Sequence, residues 1–386
     1  MRGFAREDIK MKKIVLAPDS FKGTMSSIKI CDIMEAEIKK FYPDAEVIKI
    51  PVADGGEGTV DAFLEAVGGE KIHVMVKGPY FETMDSFYGI LADGKTAVIE
   101  MAAAAGLPLV ENRKNPFLTT TYGVGELIRH AVESGCRNLI IGLGGSCTND
   151  GGAGMAAALG VKFICKDGEE FIPTGGTLSR VDRIDTSEIM DLSGVTITVM
   201  CDVNNPLCGE NGASKVFGPQ KGADAAMTEL LDRSLRHFAE IIKVHLNKDI
   251  TDMPGAGAAG GMGAGTAAFL DAELKRGIDV VLDTAGFDSL LEGTDLVFTG
   301  EGKIDSQSLS GKVICGVASR AKKHNVPVIA VVGDIGDDTE EIYSLGITAV
   351  MSINRVAVPF EIARHRSEKD LALTMNTIMR LLTLKN

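Results

Sequence analysis

The chain has 386 residues, a formal net charge of −13, 45% hydrophobic residues and 45 glycines. This length accommodates two domains, and the composition is that of a globular protein. An acidic chain without a concentrated basic surface is not expected to have a nucleic-acid partner. No apolar run reaches the roughly 18–20 residues that span a bilayer, so a membrane partner is not expected either. Oligomeric state leaves no signal in the sequence.

The cysteines and the amino terminus indicate a cytoplasmic protein. The seven cysteines are scattered, without a CxxC pair or zinc-ligand spacing, which is typical of reduced thiols. The first ten residues, MRGFAREDIK, lack the apolar core of a signal peptide. Because Met11 opens the first apolar strand, we interpret residues 1–10 as an extension.

Strands and helices alternate at the start of the chain. A buried strand at 12–18 precedes a helix at 26–42 that Ser26 caps, and EVIKIPVAD then precedes the helix TVDAFLEAVGG. This order predicts a parallel, doubly wound sheet. Residues 71–100 instead contain three strands without intervening helices, which predicts antiparallel hairpins.

The alternation returns from residue 121 to 160 and again over the last hundred residues. Between them, residues 223–245 form one long amphipathic helical pattern, and a glycine-rich loop at 254–265 precedes another helix. The simplest interpretation is an α/β fold with two α/β domains. A discontinuous, Rossmann-like domain comprises 11–78 and 286–386, and a mixed α/β domain is inserted at 79–285.

The string GILADGKT at 89–96 fits the phosphate-binding pattern G-x-x-x-x-G-K-[ST]. A genuine phosphate-binding loop follows a strand and opens a helix. Here the β-rich segment TAVIE follows, and Asp93-Gly94 is a favoured two-residue hairpin turn. The pattern therefore predicts a β-hairpin with an exposed Lys95, not an ATP site.

A second glycine-rich segment, IIGLGGSCTNDGGAG at 140–154, follows a buried strand and opens a helix. Ligands of open α/β sheets bind at the carboxyl ends of strands, and small residues allow backbone amides to approach phosphate. The alternative is a turn with a helix cap. The functional interpretation makes these residues candidates for binding a nucleotide or its Mg²⁺: Gly144, Gly145, Ser146, Thr148, Asn149 and Asp150. Cys147 lies among them, but no histidine is near to make it a nucleophile.

Four more predicted strand ends carry charged residues beside glycines. Each alone fits a turn or a helix cap as well as a site. Together they suggest converging carboxylates, which repel one another unless a cation such as Mg²⁺ neutralises them. The candidates are Asp19 and Lys22, then Asp54, then Asp202, and finally Glu301 and Lys303.

The segment PGAGAAGGMGAG at 254–265 contains G-x-G-x-x-G but follows a poor strand and lacks the acidic residue of a dinucleotide site. A ligand-binding loop and a plain packing turn both remain open for Gly257, Gly260 and Gly261.

Several long segments of the chain resemble the type-1 bacterial glycerate kinase family. They are APDSFKGTMSS, PVADGGEGTVDA, GLGGSCTNDGGAGMAAALG, CDVNNPLCGENGAS, FGPQKGA, GAGAAGGMGAG and TGEGKIDSQSLSGK. They occur in order from about residue 12 to about residue 354, and residues 1–10 lie outside the resemblance.

The resemblance implies two α/β domains, one of them Rossmann-like and discontinuous, with the active site in the cleft between them. It implies ATP- and Mg²⁺-dependent phosphorylation of D-glycerate, with 2-phosphoglycerate the favoured product. Under this hypothesis Gly144, Gly145 and the loop at 257–261 hold the ATP phosphates, and Asp150 or Asp202 binds Mg²⁺.

The same hypothesis gives the proton-accepting role to Asp19, Asp54 or Asp202. Lys22 and Lys303 hold the substrate carboxylate or the transferred phosphate, and Arg180 or Arg183 shares that task. Two alternatives remain: a kinase or Mg²⁺-dependent phosphatase for another small hydroxy acid, and a non-catalytic sugar-acid sensor.

Overall fold

The computed structural model describes residues 11–305, 313–337 and 339–384. The predicted extension 1–10 lies outside these ranges. None of the described helices is long and apolar enough to cross a membrane.

Strands and helices alternate along most of the described chain. The described strands are β1 Lys13–Pro18, β2 Glu46–Lys49, β3 Gly69–Lys77, β4 Thr83–Leu91, β5 Thr96–Glu100, β6 Asn138–Gly142, β7 Lys162–Ile164, β8 Glu170–Phe171, β9 Arg183–Asp185, β10 Thr196–Met200, β11 Glu273–Lys275, β12 Leu296–Gly300, β13 Lys303–Ile304, β14 Val328–Val332, β15 Asp334–Ile335 and β16 Ile347–Ser352. The described α-helices are α1 Ser27–Lys39, α2 Thr59–Val67, α3 Ala102–Ala105, α4 Tyr122–Glu133, α5 Ala153–Ala158, α6 Ala213–Phe217, α7 Ala225–Leu246, α8 Ala258–Leu270, α9 Gly277–Thr284, α10 Phe287–Leu290, α11 Val313–Lys323, α12 Glu341–Ser344, α13 Phe360–Ala363 and α14 Ser367–Leu382.

The first of two compact units contains the described parts of Met1–Ala53, Glu65–Val67 and Ile278–Asn386. Its sheet has the order β16-β14-β12-β1-β2, with every neighbouring pair parallel. Strands such as Leu296–Gly300 and Val328–Val332 are buried along their whole length, as expected for a parallel sheet covered on both faces. Helices α1 and α14 pack against this sheet through Met34 and Met375.

The second unit contains Asp54–Leu64 and Gly68–Gly277. Its six-stranded sheet has the order β11-β10-β6-β5-β4-β3. Strands β11, β10, β6 and β5 are parallel, whereas β4 runs antiparallel to both β5 and β3. The predicted hairpins in 71–100 are therefore confirmed, and β5 joins them to the parallel part. Phe163, Phe238 and Phe269 form an aromatic cluster in the core beneath α7 and α8.

The unit boundaries differ from the predicted domain boundaries at both ends of the insertion. Strand β3 was assigned to the first domain, but it pairs with β4 over its whole length and lies in the second unit. Residues 54–64 also lie in the second unit, and residues 278–285 lie in the first. A hairpin strand gains its hydrogen bonds from its partner, so the hairpin cannot be divided between two cores.

The GILADGKT segment forms the predicted hairpin between β4 and β5. Asp93 organises the turn: its carboxylate accepts hydrogen bonds from the N–H groups of Lys95 and Thr96 and from the Thr96 hydroxyl. Burial acts to raise the pKa of Asp93, but these hydrogen bonds outweigh it and leave the pKa below its ordinary value. Gly94 has φ +65, which suits this turn.

We expect Lys95→Ala to leave the kcat of the activity that the resemblance implies unchanged, because the Lys95 side chain is exposed on a hairpin turn. Asp93→Ala, in contrast, removes three hydrogen bonds and should lower the free energy of unfolding by about 1–2 kcal/mol. Steady-state kinetics and urea denaturation of the two variants measure these effects. A large loss of kcat in Lys95→Ala would restore the phosphate-binding interpretation.

Candidate active site

Three parallel strands of the second unit end side by side at the candidate site. The register pairs Glu100 of β5 with Gly142 of β6, and Gly142 with Met200 of β10. The loops after β6 and β10 therefore begin at the same edge of one sheet, as predicted for residues that follow the carboxyl ends of parallel strands.

The segment 54–58 packs directly on the loop after β6, main chain against main chain. The Gly144 N–H donates to the Gly55 carbonyl at 2.9 Å. A Cβ atom on Gly142 would lie 2.4 Å from the same carbonyl oxygen, and one on Gly144 would lie 2.6 Å from the Gly56 nitrogen. These two glycines are thus required by close backbone packing. The Gly144 N–H is engaged by Gly55 within the protein, and the predicted phosphate contact of Gly144 stays a prediction.

Asp150 lies fully buried at the centre of the loop. Its Oδ2 accepts hydrogen bonds from the Thr121 N–H at 2.7 Å, the Thr121 hydroxyl at 2.9 Å and the Gly154 N–H at 3.3 Å. Its Oδ1 accepts one from the Gly152 N–H at 3.2 Å. Burial raises the pKa of Asp150 above its ordinary value, although these four hydrogen bonds oppose the shift.

The predicted metal role of Asp150 does not suit this environment. Both carboxylate oxygens already accept hydrogen bonds from Thr121, Gly152 and Gly154, and the residue has no exposed surface. Its hydrogen bonds instead fix the starts of α4 and α5, where backbone N–H groups otherwise lack intrahelical partners. The sequence could not distinguish these roles, because an aspartate after a strand looks the same in either.

Lys221 is a buried cation from the segment 219–221 that contacts the loop after β6, and the sequence assigns it no role. Its Nζ donates to Ser146 Oγ at 2.8 Å and to the Thr148 carbonyl at 2.6 Å. Burial lowers the pKa of Lys221 to about 8, while Cys147 and Asp150 oppose the shift. Because Ser146 Oγ accepts from the ammonium, the Ser146 hydroxyl hydrogen is directed to a different acceptor. The FGPQKGA segment marked the region, but nothing local in it signals burial.

Two polar atoms of the loop are buried with no hydrogen-bond partner among the described residues: Thr148 Oγ1 and Asn149 Oδ1. The Asn149 amide nitrogen is satisfied, since it donates to Ser214 Oγ at 3.0 Å. Cys147 is also buried, and burial raises the pKa of its thiol to about 12. A thiol with this pKa is protonated at neutral pH, so Cys147 is not a nucleophile.

The loop at 254–261 lies against the loop after β6, as the Gly151 N–H donates to the Gly260 carbonyl at 3.0 Å. Its glycines face protein backbone. A Cβ on Gly260 would lie 2.0 Å from the Thr148 carbonyl oxygen, and one on Gly257 would lie 2.3 Å from that of Pro206. Gly261 similarly approaches Gly151. Of the two interpretations of Gly257, Gly260 and Gly261, these contacts favour packing.

Two acidic candidates of the second unit lie at the same sheet edge. Asp54 is exposed, and its Oδ1 accepts from the Gly56 N–H at 3.1 Å. Asp202 is exposed, and its Oδ1 accepts from the Gly277 N–H at 2.8 Å. Glu100, which the sequence analysis overlooked, is buried and accepts from the Val60 N–H at 3.0 Å. It was detectable as an acidic residue at the carboxyl end of an apolar strand.

The remaining candidates lie at the carboxyl edge of the sheet in the first unit. Asp19 follows β1, and its N–H donates to the Gly300 carbonyl at 2.8 Å. Lys22 is exposed in the same loop. After β12, Glu301 is buried, whereas Lys303 is exposed and pairs with Asp334 in the short parallel β13-β15 ladder.

A preformed three-ligand metal centre does not occur at these residues. In the described ranges, only Cys165, Asp167 and Glu169 bring three possible ligand atoms within 4.8 Å of one another. They lie on the β7-β8 hairpin, where Asp167 accepts from the Glu169 N–H and Glu169 pairs with Arg180. These contacts account for that cluster as a turn.

The fold is α/β, with polar loops at the carboxyl ends of parallel strands, and the comparisons with known proteins specify the class of protein. The sequence profile of the Glycerate kinase family matches residues 14–383. A glycerate kinase of Bacillus cereus (strain ATCC 10987 / NRS 248) is 48% identical over 368 residues, covering 95% of this chain and 97% of that protein. The glycerate 2-kinase of Escherichia coli (strain K12) is 50% identical over 343 residues, covering 88% and 90%.

The structural comparison agrees with the sequence comparisons. The crystal structure of a candidate glycerate kinase 2 from Salmonella typhimurium LT2 superposes with a TM-score of 0.84 at 44% identity, covering 96% of this chain and 98% of that one. The chain therefore belongs to the glycerate kinase family, and it is an enzyme of the phosphotransferase class. The resemblance and the α/β fold class that the sequence predicts are confirmed.

Asp150→Asn should lower the free energy of unfolding by about 3 kcal/mol, because an amide NH₂ cannot accept the hydrogen bonds that the buried carboxylate accepts. Urea denaturation measures the change. Asp167→Asn is the matched control: Asp167 is exposed and accepts one backbone hydrogen bond, so its loss should stay below about 1 kcal/mol. Unchanged or increased stability of Asp150→Asn would contradict the structural role of the buried carboxylate.

Proposed function

We propose that the protein transfers the γ-phosphoryl group of ATP to D-glycerate in a Mg²⁺-dependent reaction that yields 2-phosphoglycerate. The observation that carries this proposal is the family match over residues 14–383, together with the buried polar loop after β6. A relative at 50% identity is named glycerate 2-kinase, which supports the 2-phospho product. All seven cysteines are free thiols, which supports a cytoplasmic location.

The donor set of the second unit fits Mg²⁺. Magnesium usually takes one or two carboxylates, substrate phosphate oxygens and water. Asp54 and Asp202 are both exposed and supply such carboxylates, each with a backbone N–H that fixes one oxygen. When bound, Mg²⁺ neutralises charge on the transferred phosphoryl group. We assign the metal to Asp202 and drop Asp150, because hydrogen bonds within the protein satisfy the Asp150 carboxylate.

Phosphoryl transfer needs positioned groups more than covalent chemistry. We propose that Asp54 accepts the proton of the glycerate hydroxyl. Asp19 of the first unit is the alternative proton acceptor. The Ser146 hydroxyl, whose oxygen accepts from Lys221, would donate to an anionic oxygen of the substrate. Gly145, Thr148 and Asn149 belong to the same loop, and Gly145 would approach the nucleotide. The Thr148 and Asn149 side chains are fully buried and would support the loop from within, although Thr148 Oγ1 and Asn149 Oδ1 lack a hydrogen-bond partner among the described residues.

The first unit contains two cationic side chains to which we assign a role. Lys22 and Lys303 are exposed in the loops after β1 and β12, where they would bind phosphate or carboxylate oxygens. Glu301 is buried in the loop after β12, and it would hold that loop in place for nucleotide binding. Arg183 begins β9 of the three-stranded β8-β7-β9 sheet, and Arg180 lies just before it, where it stacks over Phe171 and pairs with Glu169. We therefore omit both arginines from the proposed site.

The proposed reaction is tested by incubating the protein with ATP, MgCl₂ and D-glycerate and recording ³¹P NMR spectra. We expect a single new phosphomonoester resonance, that of 2-phosphoglycerate, in equal amount to ADP. L-glycerate, glycolate and lactate serve as control acceptors, and EDTA should abolish the reaction. ADP formation without a glycerate product would contradict the proposal, and a 3-phosphoglycerate resonance would correct the regiochemistry.

The role assignments are tested in the same assay with Asp54→Ala and Asp202→Ala. Loss of a proton acceptor or metal ligand should lower kcat at least about 100-fold. Asp191→Ala is the matched control, since Asp191 also accepts one backbone N–H, from Ser193 at 2.9 Å, but lies in a remote exposed loop. Wild-type turnover in folded Asp54→Ala and Asp202→Ala would exclude these roles.

A further inference from the structure

A cavity of about 240 Å³ opens at the carboxyl edge of the sheet in the first unit. Its lining residues follow four parallel strands: Phe21 and Lys22 follow β1, Gly302 follows β12, Asp334 follows β14, and Asn354 follows β16. Phe360 at the start of α13 completes the lining. Neither the family match nor the catalytic proposal assigns this cavity a ligand.

The cavity lies where the order of strand addition reverses: the chain adds one strand on one side of β1 and the later strands on the other side. From β1, the chain passes through α1 to β2 on one side. Strands β12, β14 and β16 extend the sheet on the other side. Open α/β sheets bind ligands outside the carboxyl ends of their strands at such a switch point, which here lies between β1 and β12. Lys22 and Gly302 come from the loops that follow these two strands.

The cavity wall is preformed by main-chain packing. The Gly333 N–H donates to the Glu301 carbonyl and the Asp334 N–H to the Gly302 carbonyl, each at 3.1 Å. A Cβ on Gly333 would lie 2.2 Å from the Gly302 carbonyl oxygen, so only glycine fits there. Phe21 is fixed by two backbone hydrogen bonds with Met25. Binding therefore requires little ordering of this wall.

The cavity is lined partly by apolar and aromatic side chains and partly by polar ones. Phe21 and Ile353 are buried, Val358 is half-buried, and Phe360 is 59% exposed although it is a large aromatic residue. Base–aromatic stacking is a common way of binding nucleotides. Asn354 supplies an amide that can donate to and accept from the edge of a base.

The size and charge of the cavity also favour part of a nucleotide. Small-molecule pockets typically occupy about 300–1,000 Å³, so about 240 Å³ suits a base rather than a whole nucleotide. Lys22 and Arg364 bring positive charge to the lining and Asp334 and Asp370 bring an equal negative charge, so the cavity is balanced in charge, which suits an uncharged base. Glycerate is small and polar throughout, and apolar walls would only desolvate it.

We propose that this cavity binds the purine base of the phosphate donor, with Phe360 stacking on the base and Asn354 contacting its polar edge. The inference rests on the proposed use of ATP. It locates nucleotide selectivity in the first unit, in the loops around the β1-β12 switch point.

Phe360→Ala is the primary test. We expect the KM for ATP to rise about tenfold or more, with the KM for glycerate and kcat at saturating ATP within about twofold of wild type. Tyr343→Ala is the matched control, because Tyr343 is an aromatic residue of the same unit with 52% exposure that does not line the cavity. Val358→Trp, which fills the cavity, should weaken ATP binding further, and equilibrium dialysis with labelled ATP measures that binding without turnover.

Photolabelling with 8-azido-ATP identifies the binding position directly. We expect label in the peptide that contains Asn354 and Phe360, reduced by competing adenosine. Label confined to residues 140–265, or a Phe360→Ala variant whose KM for ATP is unchanged, would overturn the proposal. Absence of glycerate phosphorylation in the NMR assay would instead refute the proposed function, and the labelling and dialysis results would still decide whether the cavity binds a base.

Discussion

The burial of the Asp150 carboxylate is the constraint on which the second unit's candidate loop depends. A buried charge is tolerated only where hydrogen bonds replace the lost water, and Asp150 obtains four of them from Thr121, Gly152 and Gly154. These donors belong to the starts of α4 and α5, so one side chain sets the position of two helices relative to β6. Any displacement of the loop would leave the carboxylate unsatisfied.

The buried ammonium of Lys221 adds a second, independent restraint. It ties the chain at residue 221 to Ser146 and Thr148, on the amino-terminal side of Asp150. The glycines around the loop allow this compactness, since a Cβ on Gly142 would collide with the Gly55 carbonyl and one on Gly260 with the Thr148 carbonyl. The combined effect is a loop whose backbone conformation is determined by the protein itself, before any substrate binds. Such preorganisation is what phosphoryl transfer, which depends on positioning, requires.

The sequence predicted those features that depend on neighbours in the chain. Asp93-Gly94 and the β-branched residues after it are enough to specify the β4-β5 hairpin, and Ser26 correctly marked the start of α1, where it accepts from the Lys29 N–H. Features that depend on remote contacts were not predictable. The partners of Asp150 lie 29 residues away at Thr121, those of Lys221 lie 73 and 75 residues away, and α14 packs on α1 from the opposite end of the chain. For the same reason Gly257, Gly260 and Gly261 looked like ligand contacts, when their neighbours are backbone atoms of distant loops.

The central claim, that buried polar contacts fix the loop before substrate binds, is tested most directly by native-state hydrogen exchange of the ligand-free enzyme. The amides of Thr121, Gly152 and Gly154 donate to the buried Asp150 carboxylate, so we expect them to exchange only through global unfolding, as slowly as amides in the middle of β6. Exchange within seconds in the free enzyme, with protection only after nucleotide or glycerate is added, would show that the ligand organises the loop and would contradict this account.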